Sequence, residues 1–240
     1  MSAPILITGG ARRFGRALAL DLAGAGYDVA ITYRQSNHDL DALVAAGVDC
    51  IQTDLGSPHD CQQFISLMEK RYRALRAIVH NASEWLPESE NADLATVMQR
   101  NMAIHVQAPY LINSGLESLL MTGAEKYGMA DIIHLTDYVA ARGSQKHIAY
   151  AASKAALHNL TLSFASKLAP HIKVNSIAPA LLMFRDEDDA AYKEKVARKS
   201  LLPPGPGADE GIRAVTMLLD SHYMTGQTIA LDGGRHLKAG

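Results

Sequence analysis

The sequence predicts an α/β fold: one doubly wound domain built on a seven-stranded parallel sheet with helices on both faces. Three observations predict it. Short aliphatic and β-branched runs alternate with helical patterns along the whole chain. The runs themselves, such as DVAITY at 28–33 and DIIHLT at 131–136, are mostly apolar, as strands covered on both faces must be. A glycine-bearing turn, TGGARRFG at 8–15, joins the first strand to the first helix, where such folds hold a phosphate.

The elements follow in order. PILIT leads into the glycine turn, and Leu18, Leu22 and Ala25 recur at three- and four-residue spacing over a helix at 13–25. After the strand at 28–33 come a helix near 39–46, a short strand CIQT at 50–53 and a helix over 58–72. Ser57 before Pro58 is an N-cap and first-turn pair. AIVH at 77–80 and DIIHLT at 131–136 are strands separated by one long helix over 94–120. A helix carrying Tyr150 and Lys154 runs to about residue 168 and stops before Pro170. KVNSIA at 173–178 and TIALD at 228–232 complete the strands. Between them lie a polar stretch at 185–200, PPGPG at 203–207 and a helix over 208–219. No internal repeat or linker divides the chain, so residues 1–240 form one domain. The segment around 182–207 is a loop and helix insertion beside the site.

Composition narrows the function. The chain has 240 residues, 48% hydrophobic and 20% charged, enough to bury a sizeable core. A net charge of −2 supplies no basic field for nucleic acid or an anionic membrane. No apolar run approaches the roughly 20 residues of a membrane span, and no N-terminal signal is present. Cys50 and Cys61 form no disulfide framework, which suits a reduced, cytoplasmic setting. The histidines show no metal-ligand spacing, and no metal is expected.

Chemistry centres on DYVAARGSQKHIAYAASK at 137–154. Tyr150 and Lys154 are one helical turn apart, so phenol and ammonium share a face. The ammonium is expected to draw the phenol pKa down from about 10 and make Tyr150 a proton donor to a carbonyl or imine. At the other end, Gly9 and Gly15 let backbone approach a pyrophosphate. Arg12, Arg13 and Arg34 supply cations, with Ser36 beside them and no carboxylate in TYRQS at 32–36. That pattern favours NADPH over NADH; Arg34 as a solvated strand end is the alternative.

With these pieces in order the sequence resembles the short-chain dehydrogenase/reductase family over essentially its whole length. The matching motifs are TGGARRFG at 8–15, TDL at 53–55, HNAS at 80–83, YAASK at 150–154, VNSIAPA at 174–180 and LDGG at 231–234. The resemblance implies a Rossmann-like NADP-binding domain. It implies that Asp54 contacts adenine, that Asn81 lines the cofactor channel, that Lys154 holds the nicotinamide ribose and that Tyr150 donates the proton. Phe14, Leu55, Ala82, Ser83 and Pro179 lie in or beside those motifs and are implied cofactor contacts. Relatives assemble as tetramers through the helices expected at 94–120 and 150–168, so a homotetramer is expected, with the tail bearing His236 able to approach a neighbouring site.

Departures from the family pattern address the substrate. Arg13 replaces a glycine, Asp137 replaces the serine thirteen residues before the tyrosine, and His105 replaces the catalytic helical asparagine, which makes it a catalytic candidate that could hold a water near Lys154. Trp85 stands two residues after Ser83. This set is similar to that of the pteridine reductases, implying a dihydropterin or dihydrofolate substrate. A pterin is flat, so the indole of Trp85 could cover one face, and its polar edge suits Asp137, Ser83 and Arg13. Each residue keeps a plainer alternative: loop packing for Trp85, a strand-end cap for Asp137, a turn hydroxyl for Ser83, a satisfied core histidine for His105. A carbonyl reductase and a non-catalytic NADP-binding protein are the competing functions.

Overall fold

The strands form where the apolar runs predict them. The computed structural model describes residues 3–36, 38–89, 91–184, 187–203 and 207–238. In chain order the elements are β1 (Ile5–Ile7), α1 (Arg13–Gly24), β2 (Val29–Tyr33), α2 (Leu40–Ala45), β3 (Asp49–Gln52), α3 (Pro58–Arg71) and β4 (Ala77–His80). Next come α4 (Leu94–Met102), a π-helical turn (Ala103–Gln107), α5 (Ala108–Gly115), α6 (Glu117–Tyr127), β5 (Ala130–Leu135), α7 (Val139–Arg142) and α8 (Ile148–Leu168). β6 (Ile172–Pro179), α9 (Ala190–Ala197), α10 (Asp209–Asp220), β7 (Thr228–Leu231) and a 3-10 turn (Arg235–Leu237) complete the fold. Residues 185, 186 and 204–206, which belong to the polar stretch and the PPGPG turn of the sequence, lie outside the described residues, as do 239 and 240 of the tail.

The sheet has seven parallel strands in the order β3-β2-β1-β4-β5-β6-β7. Ile7 pairs with Ile31 on one side and with Val79 on the other. The winding therefore reverses between β1 and β4. Crossovers leave on opposite faces there, so a crevice opens at the carboxyl ends of these two strands. Helices α3, α5, α6 and α8 cover one face through Phe64, Ile112, Leu120 and Phe164. Helices α1, α2 and α10 cover the other through Leu18, Leu22, Leu43 and Leu218. Each such side chain contributes about 1.5–3 kcal/mol by leaving water. Among the described residues, no helix is long and apolar enough to cross a membrane.

The sequence expectation of one unbroken helix over 94–120 does not hold. The chain there is α4, a π-turn, α5 and, after Leu116, α6. Pro109 explains the first break: it lacks the N–H that would bond the carbonyl of His105. The turn widens at 103–107 and carries His105 inward, leaving it 1% exposed.

Two buried polar groups are structural. At the end of the sheet away from the crevice, Asp131 accepts ion pairs from Arg76 at 2.5 Å and Lys173 at 3.0 Å. The same cations bond the carbonyls of Leu219 and Leu218 at the end of α10, where positive charge suits the helix dipole. In the core between β4, β5, α5 and α8, His80 Nε2 contacts Asn113 Oδ1 at 2.7 Å. Asn113 Nδ2 lies 3.2 Å from His134 Nε2, and His134 Nδ1 lies 2.9 Å from Thr161 Oγ1.

Candidate active site

The crevice is a cavity of about 480 Å³. Its floor is stitched by hydroxyls at the strand ends. Thr8 Oγ1 accepts the amides of Asn81 and Ala82, each at 3.0 Å, and Thr32 Oγ1 accepts that of Gly9 at 3.0 Å. Asn81 Nδ2 donates to the carbonyls of Thr8 and Gly9 at 3.0 and 2.9 Å. A Cβ on Gly15 would stand 2.5 Å from that amide nitrogen, and one on Gly9, at φ +65°, would stand 2.8 Å from Ala82 Cα. Both positions demand glycine. Arg13 occupies the next special position with φ +49°, and its guanidinium donates to the Met183 carbonyl at 3.3 Å.

The N-terminus of α1 has no side-chain cap, since Arg12 makes no capping hydrogen bond. Its amides open on the cavity with Arg12 alongside, an arrangement that suits a pyrophosphate. Arg12, Arg13, Phe14, Arg34, Asp54, Leu55, Ala82, Ser83 and Pro179 all line the same cavity. Asp54 turns one oxygen to the Gly56 amide at 2.8 Å. These residues fit a dinucleotide bearing an additional phosphate.

Sequence reasoning missed Glu84. The expectation of no carboxylate at the end of β2 holds along the chain but not in space. Glu84 reaches across to Arg34 at 2.8 Å and accepts from Arg100 at 2.8 and 3.1 Å. Burial works against its charge, but the two arginines outweigh that and hold its pKa low. Arg34 and Arg100 share Glu84, Asp54 also acts on Arg34, and Arg12 lines the same cavity. Only its place directly after Ser83 in the HNAS stretch pointed to Glu84. Ser36 is exposed and is not part of the lining, because the chain has already turned away after Gln35.

At the other end of the cavity the proton machinery is assembled as a pair. Asp137 Oδ1 accepts the Val139 amide at 2.9 Å, and Oδ2 accepts the phenol proton of Tyr150 at 3.0 Å. The residue is thus both strand-end cap and partner of the tyrosine. Burial raises its pKa against the pull of the Val139 amide and the Lys154 charge.

The expectation that Lys154 draws the phenol pKa down is overturned. Tyr150 titrates well above 10, because burial disfavours phenolate and the Asp137 carboxylate repels it. Lys154 stands 5.6 Å from the centre of the tyrosine ring and gives one proton to the Leu135 carbonyl at 2.8 Å. Burial lowers its own pKa to about 8, against the attraction of Asp137. Helical spacing put both residues on one face but left the position of the ammonium undecided.

His105 stands behind the lining, not in it. Its Nε2 lies 2.8 Å from Ser83 Oγ and its Nδ1 2.8 Å from Ser153 Oγ, and its ring meets Tyr150 edge-on at 5.3 Å. Trp85 does not line the cavity either. It is 50% exposed and meets His147 edge-on at 5.0 Å, the loop-packing arrangement, because Glu88 ties its loop to the Ala149 amide at the start of α8. In the tail, His236 bonds Asp232 at 2.7 Å and Arg235 lies over the Tyr138 ring at 4.7 Å. From the insertion at 182–207, Leu182 and Met183 reach the cavity, and among the described residues no cluster could hold a metal ion.

A family model described as enoyl-(acyl carrier protein) reductase matches residues 9–236. The chain is 50% identical over 235 residues to the dihydromonapterin reductase of Escherichia coli strain K12, covering 98% of this chain and 97% of that protein. A Brucella canis structure described as FolM alternative dihydrofolate reductase 1 complexed with NADP has a TM-score of 0.84 at 29% identity, over 99% of this chain and 95% of that one. A Pseudomonas aeruginosa RhlG/NADP complex has a TM-score of 0.86 at 26% identity, over 98% and 97%.

Proposed function

The chain belongs to the short-chain dehydrogenase/reductase family, and on that premise we propose that it reduces 7,8-dihydromonapterin to tetrahydromonapterin with NADPH and also reduces dihydrofolate. The observation that carries this reading is the Tyr150–Asp137 bond: a carboxylate stands where a serine would serve a simple ketone. NADPH supplies hydride to C6 of the N5=C6 bond, and N5 takes up one proton. As the phenol gives its proton to N5, Asp137 would return to the phenol oxygen a proton taken from solvent, and burial raises the carboxyl pKa in the direction this relay needs. Lys154, fixed by the Leu135 carbonyl, keeps positive charge beside the carboxylate that results. The names of the E. coli and Brucella relatives support the substrate class.

The test follows NADPH absorbance with dihydromonapterin, dihydrofolate and an acetoacetyl thioester. Turnover of the two pterins and not of the thioester is expected. The reverse would establish a carbonyl reductase, and NADP binding without any turnover would establish a binding protein. A homotetramer belongs to the same proposal, supported by the half-exposed Tyr110 and Leu162 on α5 and α8, as does a cytoplasmic setting, which suits the free Cys50 and Cys61.

Cofactor preference follows from the arginines. The 2′-phosphate would meet Arg12 and Arg34 in charge-assisted bonds, with Arg34 drawn partly from Glu84. Arg34→Asp sets two carboxylates side by side, so the ratio of kcat/KM for NADPH over NADH should fall by about 10–100-fold. Equal use of both cofactors by the unaltered protein would remove this assignment.

Trp85 stands outside the cavity lining with half its surface exposed, so a stacking role requires the bound pterin to reach past that lining to the indole. Trp85→Ala should weaken dihydropterin binding by about 1–3 kcal/mol through lost stacking and burial, with NADPH binding nearly unchanged by fluorescence titration. An equal loss for both ligands would assign the indole to loop packing alone.

A further inference from the structure

We infer that His105 is a positioning residue: held by Ser153 with its proton on Nδ1, it turns the Ser83 hydroxyl so that the serine presents lone pairs, and no proton, to the cavity. The inference rests on the dihydropterin reading and states what that site selects.

The chain of contacts fixes the direction of each bond. Ser153 is fully buried on α8 and donates its single proton to the Tyr150 carbonyl at 2.7 Å. Towards His105, 2.8 Å away, it has only lone pairs left, so Nδ1 carries the hydrogen. A neutral imidazole has one N–H. His105 is 1% exposed, its two ring nitrogens face hydroxyls, and the charge near it is the Lys154 ammonium, so burial and that cation both oppose protonation. Nε2 is therefore an acceptor, and the 2.8 Å contact to Ser83 is the serine proton donated to His105. The opposite direction would run Ser153 to Nδ1 and Nε2–H to Ser83, and would cost Ser153 its bond to the Tyr150 carbonyl.

The consequence is chemical. Ser83 lines the cavity with its only proton already used, and the Tyr150 phenol beside it also interacts with its hydroxyl. A ligand atom at its oxygen must be a donor. The amino and ring N–H groups of a pterin edge qualify; a ketone oxygen is repelled. His105 thus discriminates without touching substrate, and Ser153 is the residue that sets its tautomer.

Nitrogen-15 NMR of the full chain labelled at histidine, with and without NADP+, reads the tautomer directly, the His105→Gln spectrum identifying the signal. A protonated Nδ1 and bare Nε2, unchanged from pH 6 to 8, is the expected result. An Nε2–H tautomer or an imidazolium would overturn the inference. Kinetics supply the second reading. His105→Phe keeps the ring against Tyr150 but frees the Ser83 proton, so KM for dihydropterin should rise about tenfold, the worth of one hydrogen bond, with kcat nearly unchanged. Ser153→Ala should move KM the same way and Ser153→Thr should restore it. An unchanged KM in His105→Phe would overturn the inference even with the expected tautomer. If the unaltered protein failed to turn over dihydropterin, the functional reading would fail while the NMR result stood by itself.

Discussion

Replacing Tyr150 by phenylalanine, or Asp137 by asparagine, is expected to lower kcat for dihydropterin reduction by about 10²–10⁴ with little change in substrate binding. The two side chains are bonded at 3.0 Å and both are largely removed from solvent at the cavity wall. A phenol whose pKa is held well above 10 is a weak acid by itself. It becomes a competent donor when its partner is protonated, because the carboxylate that repels phenolate is then neutral. Asp137 is raised in the direction that makes this possible. Asparagine keeps the shape and the cap on Val139 but has no acidic proton to return, so it should act on kcat. The rival route takes the proton for N5 from solvent. In that case Tyr150→Phe is mild and Asp137→Asn acts mainly on KM through the pterin edge. Stopped-flow turnover of the single and double variants separates the two. Near-normal kcat in the Tyr150→Phe, Asp137→Asn double variant would end the paired mechanism.

Acid is expected to destabilise the fold well before its carboxylates are protonated. Burial depresses the pKa of His80 to about 4, with the Asn113 bond opposing, and also holds His134 and His105 well below their ordinary value. Below about pH 6.5 the unfolded chain binds protons that the native core refuses, so stability falls as pH falls. For His80 alone the loss is on the order of 2 kcal/mol at pH 5 and is complete near pH 4. His134 and His105 add in the same direction. Asp131 and Asp137, raised by burial, titrate the opposite way and offset part of it. The His80–Asn113–His134 chain explains why the loss cannot be relieved locally: protonating His134 at Nε2 would face the Asn113 amide protons, and flipping that amide would unpair His80. Urea midpoints at pH 7.5, 6 and 5 measure the effect. A midpoint unchanged between pH 7.5 and 5 would disprove it.

The sequence by itself determined the winding of the sheet, because apolar runs alternate with helical periods and allow only parallel crossovers. It also determined the glycine turn, whose residues are needed for close backbone approach, and the shared helical face of Tyr150 and Lys154. These are local facts, legible wherever spacing along one element decides geometry. The tertiary structure decided the rest, because it depends on which groups meet across elements. Glu84 reaches Arg34 fifty residues away, so the charge beside the expected phosphate could not be read from 32–36. Pro109 breaks a helix that periodicity would continue and turns His105 onto Ser83 and Ser153. The spacing of tyrosine and lysine suggested an acidic phenol. Packing instead gave the lysine to a carbonyl and the phenol to Asp137, and burial, which no spacing reports, reversed the sign of the shift.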